Sequence, residues 1–211
     1  MTATGMRKFD EVFKKLEDLG LLLVSGNEFP DVRRLVTGKD AKGSWWTDAA
    51  AHTIFAVNAQ LSDHPDVLVA KLISRKVTFV HRKLWSRFYS IATARDDWQT
   101  NGLSAEAKRL LHSIDVSGTV ATNKLRSTKT KPGDLARELE RRLLVHADQV
   151  HTESGAHAKV LETWSNWTNR VTFEPRPVDP EAAQLFFELR VEEINREFAG
   201  SGQLPWPYEI I

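Results

Sequence analysis

Residues 103–164 read LSAEAKRLLHSIDVSGTVATNKLRSTKTKPGDLARELERRLLVHADQVHTESGAHAKVLETW, and the alternation of apolar-periodic and breaker-rich runs within them decides the fold. Ser104 stands where an N-cap belongs, ahead of a stripe of Leu103, Ala107, Leu110, Leu111 and Ile114. Ser117-Gly118 breaks that helix, and Thr119 to Leu125 reads as a short second one. A basic, breaker-rich loop over 126–133 leads to Asp134, which is expected to cap a helix carrying Leu135, Leu139 and Leu143 as far as about His146. Beyond it two readings compete. Either the helix continues toward Glu153, or Gln149–Glu153 and Ala158–Glu162 pair as a hairpin across Ser154-Gly155-Ala156. The hairpin is narrowly favoured.

Working outward, Phe9, Val12, Phe13, Leu16 and Leu19 predict a helix over 7–19 that stops at Gly20. Phe29-Pro30 opens a short helical segment ending near Gly38, and Trp45-Trp46 anchors a loop. Thr47 is read as the N-cap of a helix over 48–61 with the stripe Ala50, Ile54, Val57 and Leu61. Val67–Leu72 and Lys76–His81 are β-branched runs read as a hairpin, and Leu84, Phe88 and Ile91 predict a further helix. The polar link 95–102 is read as the internal boundary. After the connector 173–178, Asp179 (N-cap), Pro180 and Glu181 start a last helix that Gly200 stops and whose apolar residues occupy more than one face. The expected organisation is 1–98, a helical part with a hairpin; 103–170, a second module; and 179–211, a helix and tail packing across both.

The chain's 211 residues are 41% hydrophobic and 27% charged, an ordinary globular balance, and at a net charge of +1 the whole molecule has no strong attraction to nucleic acid, so any such affinity must come from a local patch. With no cysteine, disulfides, thiolate metal sites, Fe–S clusters and a cysteine nucleophile are all excluded. No Gly-rich phosphate loop and no Gly-x-Ser-x-Gly elbow occurs, so no cofactor is expected. No apolar run approaches the ~20 residues that a bilayer demands, so a soluble cytoplasmic location without membrane contact is the expectation.

The order of elements in 103–164, together with the segment Ser117 to Leu125, resembles a winged helix, and residues 7–81 admit the same reading. The expected class is therefore α+β, mainly α, built of winged-helix-like modules with small β-hairpins. The resemblance implies that the third helix enters the major groove of DNA while the hairpin, or wing, touches the backbone. It points to Lys124, Arg126, Lys129 and Lys131 before that helix, Arg137 and Arg141 on it, and Trp164 beside the wing as nucleic-acid contacts. The implied function is binding of double-stranded DNA or regulation without catalysis. Glu138 and Glu140 on the same helix count against it. For such faces the commoner outcome is a solvated surface with i, i+4 ion pairs.

Two alternatives remain open. His146, His151 and His157 with Glu153 form a local cluster from which a metal-assisted hydrolase would draw its ligands and base, with His151, Glu153 and His157 as the catalytic set. The spacing is poor for a shared helical face, and no His-Glu-x-x-His motif occurs. The other alternative is an interaction scaffold or homo-oligomer, using the apolar C-terminal helix and the tail Leu204 to Tyr208. Seven tryptophans are read mainly as packing groups.

Overall fold

The computed structural model describes residues 3–39, 44–125, 129–151 and 157–208. The protein is α+β and mainly α, and it divides into two compact units: Met1–Trp85 with Gln184–Ile211, and Ser86–Ala183.

In the first unit α1 (Ala3–Leu19) ends at Gly20, whose φ of 82° is the left-handed conformation that glycine adopts without strain. There follow β1 (Leu21–Leu23), α2 (Val32–Thr37), α3 (Ala51–Asp63), β2 (Val67–Ala70) and β3 (Thr78–His81). The three strands form an antiparallel sheet in the order β1-β3-β2. The predicted hairpin is present, but β1 was not anticipated. All three of its leucines are buried, so it shows no apolar-polar alternation by which a sequence betrays a strand. Helix α3 starts later than expected: Thr47 closes a 3-10 turn over Trp45–Thr47, and the N-cap is Ala50. Asp48 sets that start, accepting from the Ala50 N–H at 3.0 Å while pairing with Arg33 at 3.1 Å.

The second unit contains α4 (Trp85–Ala94, its first residue still in the first unit), α5 (Asp97–Thr100), α6 (Ala105–Ser117), β4 (Thr119–Ala121), α7 (Pro132–Arg141), β5 (His146–His151), β6 (His157–Glu162) and α8 (Trp164–Arg170). Its sheet, in the order β4-β6-β5, repeats the first unit's plan: the first strand pairs with the last, and the last with the middle one. The polar link 95–102 belongs to this unit. Arg142 there donates to the carbonyls of Trp98 and Asn101, while Gln99, fully buried, donates to that of Arg142. The core joins Ala107, Leu110, Leu111 and Ile114 of α6 to Leu135, Ala136 and Leu139 of α7 and Leu161 of β6.

Three expectations are corrected here. Thr119 to Ala121 is a strand, because Gly118 caps α6 in a left-handed conformation and β6 offers a pairing edge to the β-branched residues that follow. Helix α7 starts at Pro132, whose fixed φ suits the first helical position, so Asp134 lies inside the first turn. The same helix ends at Arg141, since Leu143 takes a φ of 54° and Leu144 and Val145 run buried into β5. The hairpin reading of 146–162 holds, with longer strands than predicted; its expected tip, Ser154 to Ala156, lies outside the described residues.

Helix α9 (Pro180–Phe198) begins as predicted, the Asp179 carboxylate accepting from the Ala182 N–H at 2.9 Å. Phe187, Val191 and Ile194 form its buried stripe in the first unit, while Leu185 and Leu189 are about half exposed. In the tail Leu204 and Trp206 are buried, and the Trp206 indole donates to Glu188 at 2.8 Å.

Candidate nucleic-acid interface

Helix α7 is amphipathic because Leu135, Ala136 and Leu139 face the core, which leaves Asp134, Arg137 and Arg141 on one outer stripe at i, i+3 and i+7. Lys131 is the exposed N-cap, and Lys129 and Lys124 are exposed in the segment leading to it. Arg126 lies outside the described residues. The stripe is basic on balance, since Asp134 is paired with Arg137 at 2.6 Å and Arg141 extends the positive edge.

The two glutamates that counted against this face are both engaged elsewhere. Glu138 turns toward α6, accepting from the Ser104 N–H and O–H at 2.9 Å each. Ser104 meanwhile caps α6 by accepting from the Ala107 N–H at 3.1 Å. Glu140 is mostly buried and pairs with Lys159 of β6. Neither partner can be read from periodicity, because both come from elements distant in sequence.

The histidine cluster disperses. His146 and His151 stand at opposite ends of β5, five residues apart, about 16 Å at the rise of a strand, so the three histidines do not converge on one ion. His151 faces His157 across the hairpin in backbone register; their side chains, like Glu153, lie outside the described residues. His146 is instead buried, 3.0 Å from Glu162 through Nδ1, and its ring packs near those of Trp164 and Trp167. Arg170 completes this network with contacts of 2.5 Å to Glu162 and 2.9 Å to Asp148. Burial pushes the Glu162 carboxyl up, but hydrogen bonds from His146 and Arg170 outweigh it and hold its pKa below the ordinary value. Potential ligand atoms of His146, Asp148 and Glu162 do lie within 4.8 Å of one another. A cation there would have to displace the Arg170 guanidinium, so the arrangement works as an ion-pair network at the base of the hairpin.

Trp164, expected to reach nucleic acid, is a core residue at 4% exposure. Its indole donates to the Leu143 carbonyl at 2.7 Å and its ring meets that of Phe88 edge-on, so no ring face is open to a base. Sequence reasoning also passed over Asn58. It sits four residues after Ile54 on the buried face of α3, and both of its side-chain polar atoms lack a hydrogen-bond partner among the described residues. No helix among the described residues is long and apolar enough to cross a membrane.

A family model described as AlkZ related matches residues 6–200. No curated protein and no solved structure matches the chain.

Proposed function

The chain belongs to the AlkZ-related family, and from that premise we propose that it binds double-stranded DNA through the outer face of α7. Membership is compatible with a DNA-interacting context. The observation that carries the reading is the disposal of two of α7's three acids: Glu138 and Glu140 are turned to Ser104 and Lys159, which leaves Arg137, paired with Asp134, and Arg141 on the outer stripe beside Lys129 and Lys131. The plan helix, strand, short 3-10 turn, helix, hairpin, with the sheet order β4-β6-β5, supports the winged-helix reading of this unit. In this reading α7 sits in the major groove and the β5–β6 hairpin lies along the backbone, with phosphates rather than base edges supplying most of the affinity.

The test is fluorescence anisotropy with a short random duplex at low and moderate salt, comparing the natural chain with the variant Lys129→Gln, Lys131→Gln, Arg137→Gln, Arg141→Gln. Each phosphate left unneutralised lowers the slope of log affinity against log salt by about 0.9, so four together flatten it by roughly 3 to 4. An unchanged affinity and slope in the variant overturns the reading.

A further inference from the structure

The first unit carries a cavity of about 660 Å³ lined by the segment Val24–Glu28, by Arg33, Ser44, Trp45 and Trp46, and by the turn residues Lys71, Arg75, Lys76 and Val77. Two features set this surface apart. The first is exposed aromatic area. Trp46 is stacked on Trp45 with ring centroids 3.8 Å apart, yet remains 64% exposed, and Phe55 of α3, 54% exposed, lies 6.1 Å from it. Exposed apolar area gathered in one patch is a feature of interaction and ligand-binding surfaces. The second is charge. Four basic residues line the cavity, Arg33, Lys71, Arg75 and Lys76; Arg33 is paired with Asp48 at 3.1 Å and Lys76 with Glu28 at 2.5 Å, so the balance stays positive by two charges.

The turn that presents these cations is fixed in an unfavourable conformation. Ser74 and Arg75 both take left-handed φ values, 50° and 57°, with no glycine to ease them. Hydrogen bonds hold the turn, among them the Ser74 N–H to the Gln203 carbonyl at 2.7 Å, the Gln203 N–H to Ser74 Oγ at 3.3 Å, the Ile73 N–H to Thr78 Oγ1 at 3.0 Å and the Lys76 N–H to the Ile73 carbonyl at 2.9 Å. Arg75 and Lys76 are thereby held outward on a turn that does not have to be ordered when a ligand arrives.

We propose that this surface binds an unpaired nucleotide of a nucleic-acid strand: the base stacks on Trp46 and Phe55, and the flanking phosphates meet Arg75, Lys76 and Lys71. An open ring face accepts any base, and cations at its margin follow the sugar-phosphate backbone, which is the chemistry of single-strand recognition. The site uses other residues, in the other unit, than the duplex interface of α7, so the two readings fail separately.

The experiment measures anisotropy of a labelled oligothymidylate about ten nucleotides long, a length within single-strand site sizes, and of the random duplex, using the full chain and variants Trp46→Ala, Trp46→Phe, Phe55→Ala and Arg75→Gln/Lys76→Gln. Trp46→Ala is expected to weaken single-strand binding by about 5- to 160-fold, the range that loss of one base stack gives, while Trp46→Phe restores most of it. Arg75→Gln/Lys76→Gln should flatten the single-strand salt slope by about 0.7 for each cation removed from a phosphate. Duplex affinity should stay unchanged throughout. Since both rings are exposed, an unaltered thermal transition will show that the variants are folded. Single-strand binding that depends on Trp46 in a chain that ignores duplex supports this proposal and sinks the α7 reading. Single-strand affinity unaffected by Trp46→Ala overturns it, as does an equal loss on duplex. It also falls if Trp46→Ala changes only the sedimentation behaviour, which would make the surface a contact between copies of the chain.

Discussion

Helices α3 and α7 hold the same place in two units built on the same plan, yet their outer faces are unlike. Helix α7 presents Arg137 and Arg141, whereas α3 contains no Lys or Arg and presents His52, Phe55, Ala59 and Ser62. One plan thus carries a cation-bearing surface in one copy and a ring-bearing surface in the other. The contrast extends inside. Each unit buries a carboxylate, Asp31 at 2% exposure in the first and Glu162 at 6% in the second. Glu162 meets the Arg170 guanidinium and His146, which bring its pKa down despite burial. At Asp31 burial wins over the N–H groups and charges of Arg34 and Arg33, and pushes the pKa up to about 6. A topology fixes where a buried acid lies; the neighbouring cation decides whether it is held charged.

The largest effect should come from removing the second unit's buried charge. Glu162→Ala leaves His146 and Arg170 without their common acceptor, and breaking a buried pair costs about 3 to 5 kcal/mol; because half of Arg170 is in water, about 2 to 3 kcal/mol is expected. Loss of hydrogen-exchange protection in β5 and β6, with α3 unaffected, is the measurement. A variant as well protected as the natural chain would make the network a surface decoration. The pH sign also follows. A carboxyl with a folded pKa below its ordinary 4.5 supplies stability above that value and loses it as pH falls through the folded one, so β5 and β6 should loosen in acid.

Asp31 has the opposite sign. Its folded pKa, about 6, exceeds the ordinary 3.8, so the folded state holds the proton more tightly and the first unit loses stability as pH rises between those values. Two pKa units correspond to about 3 kcal/mol at most, and relaxation of the site brings the expected figure to about 1 to 2 kcal/mol. Asp31→Asn keeps an oxygen to accept from the Arg34 N–H, now 3.1 Å away, so it should raise stability at pH 7 and abolish the decline between pH 4 and 6. Urea unfolding at both pH values reads the difference. A variant that is less stable at pH 7 would mean that Asp31 is held charged, and the contrast between the units would disappear.

What could be read from the sequence divides along the same physical line. Helices α1, α6 and α9 were legible because their signals are local: a stripe at 3.6-residue spacing, Ser104 and Asp179 as caps, Gly20 and Gly118 as stops. Strands β1 and β4 were not, since Leu21 to Leu23 and Thr119 to Ala121 become strands by pairing with β3 and β6, far along the chain. The basic residues of α7 could be picked out, because an exposed stripe follows from the buried one. The engagement of Glu138 and Glu140 could not, as it depends on Ser104 and Lys159. Nor does the composition tell which tryptophans fill the core, as Trp164 does, and which stay outside, as Trp46 does.

The smallest effect tests the clasp that holds Glu138 away from the outer stripe of α7. In the first unit a charge pair, Arg33 with Asp48, ties α2 to the turn before α3; in the second, the Ser104 hydroxyl both caps α6 and donates to Glu138 of α7. Ser104→Ala removes the cap and the hydroxyl donor together, at about 1 kcal/mol for the cap. The Ser104 N–H still reaches Glu138 Oε1, so the carboxylate is loosened and not released. A loosened anion beside Arg137 and Arg141 should reduce duplex affinity by a few-fold, a like-charge penalty that added salt screens. Glu138→Gln then distinguishes the two roles of the clasp. If Glu138 matters to binding through its charge, Ser104→Ala combined with Glu138→Gln recovers duplex affinity while remaining less stable. If affinity stays low in the double variant, the clasp acts by holding α6 against α7, and the outer stripe owes its competence to geometry.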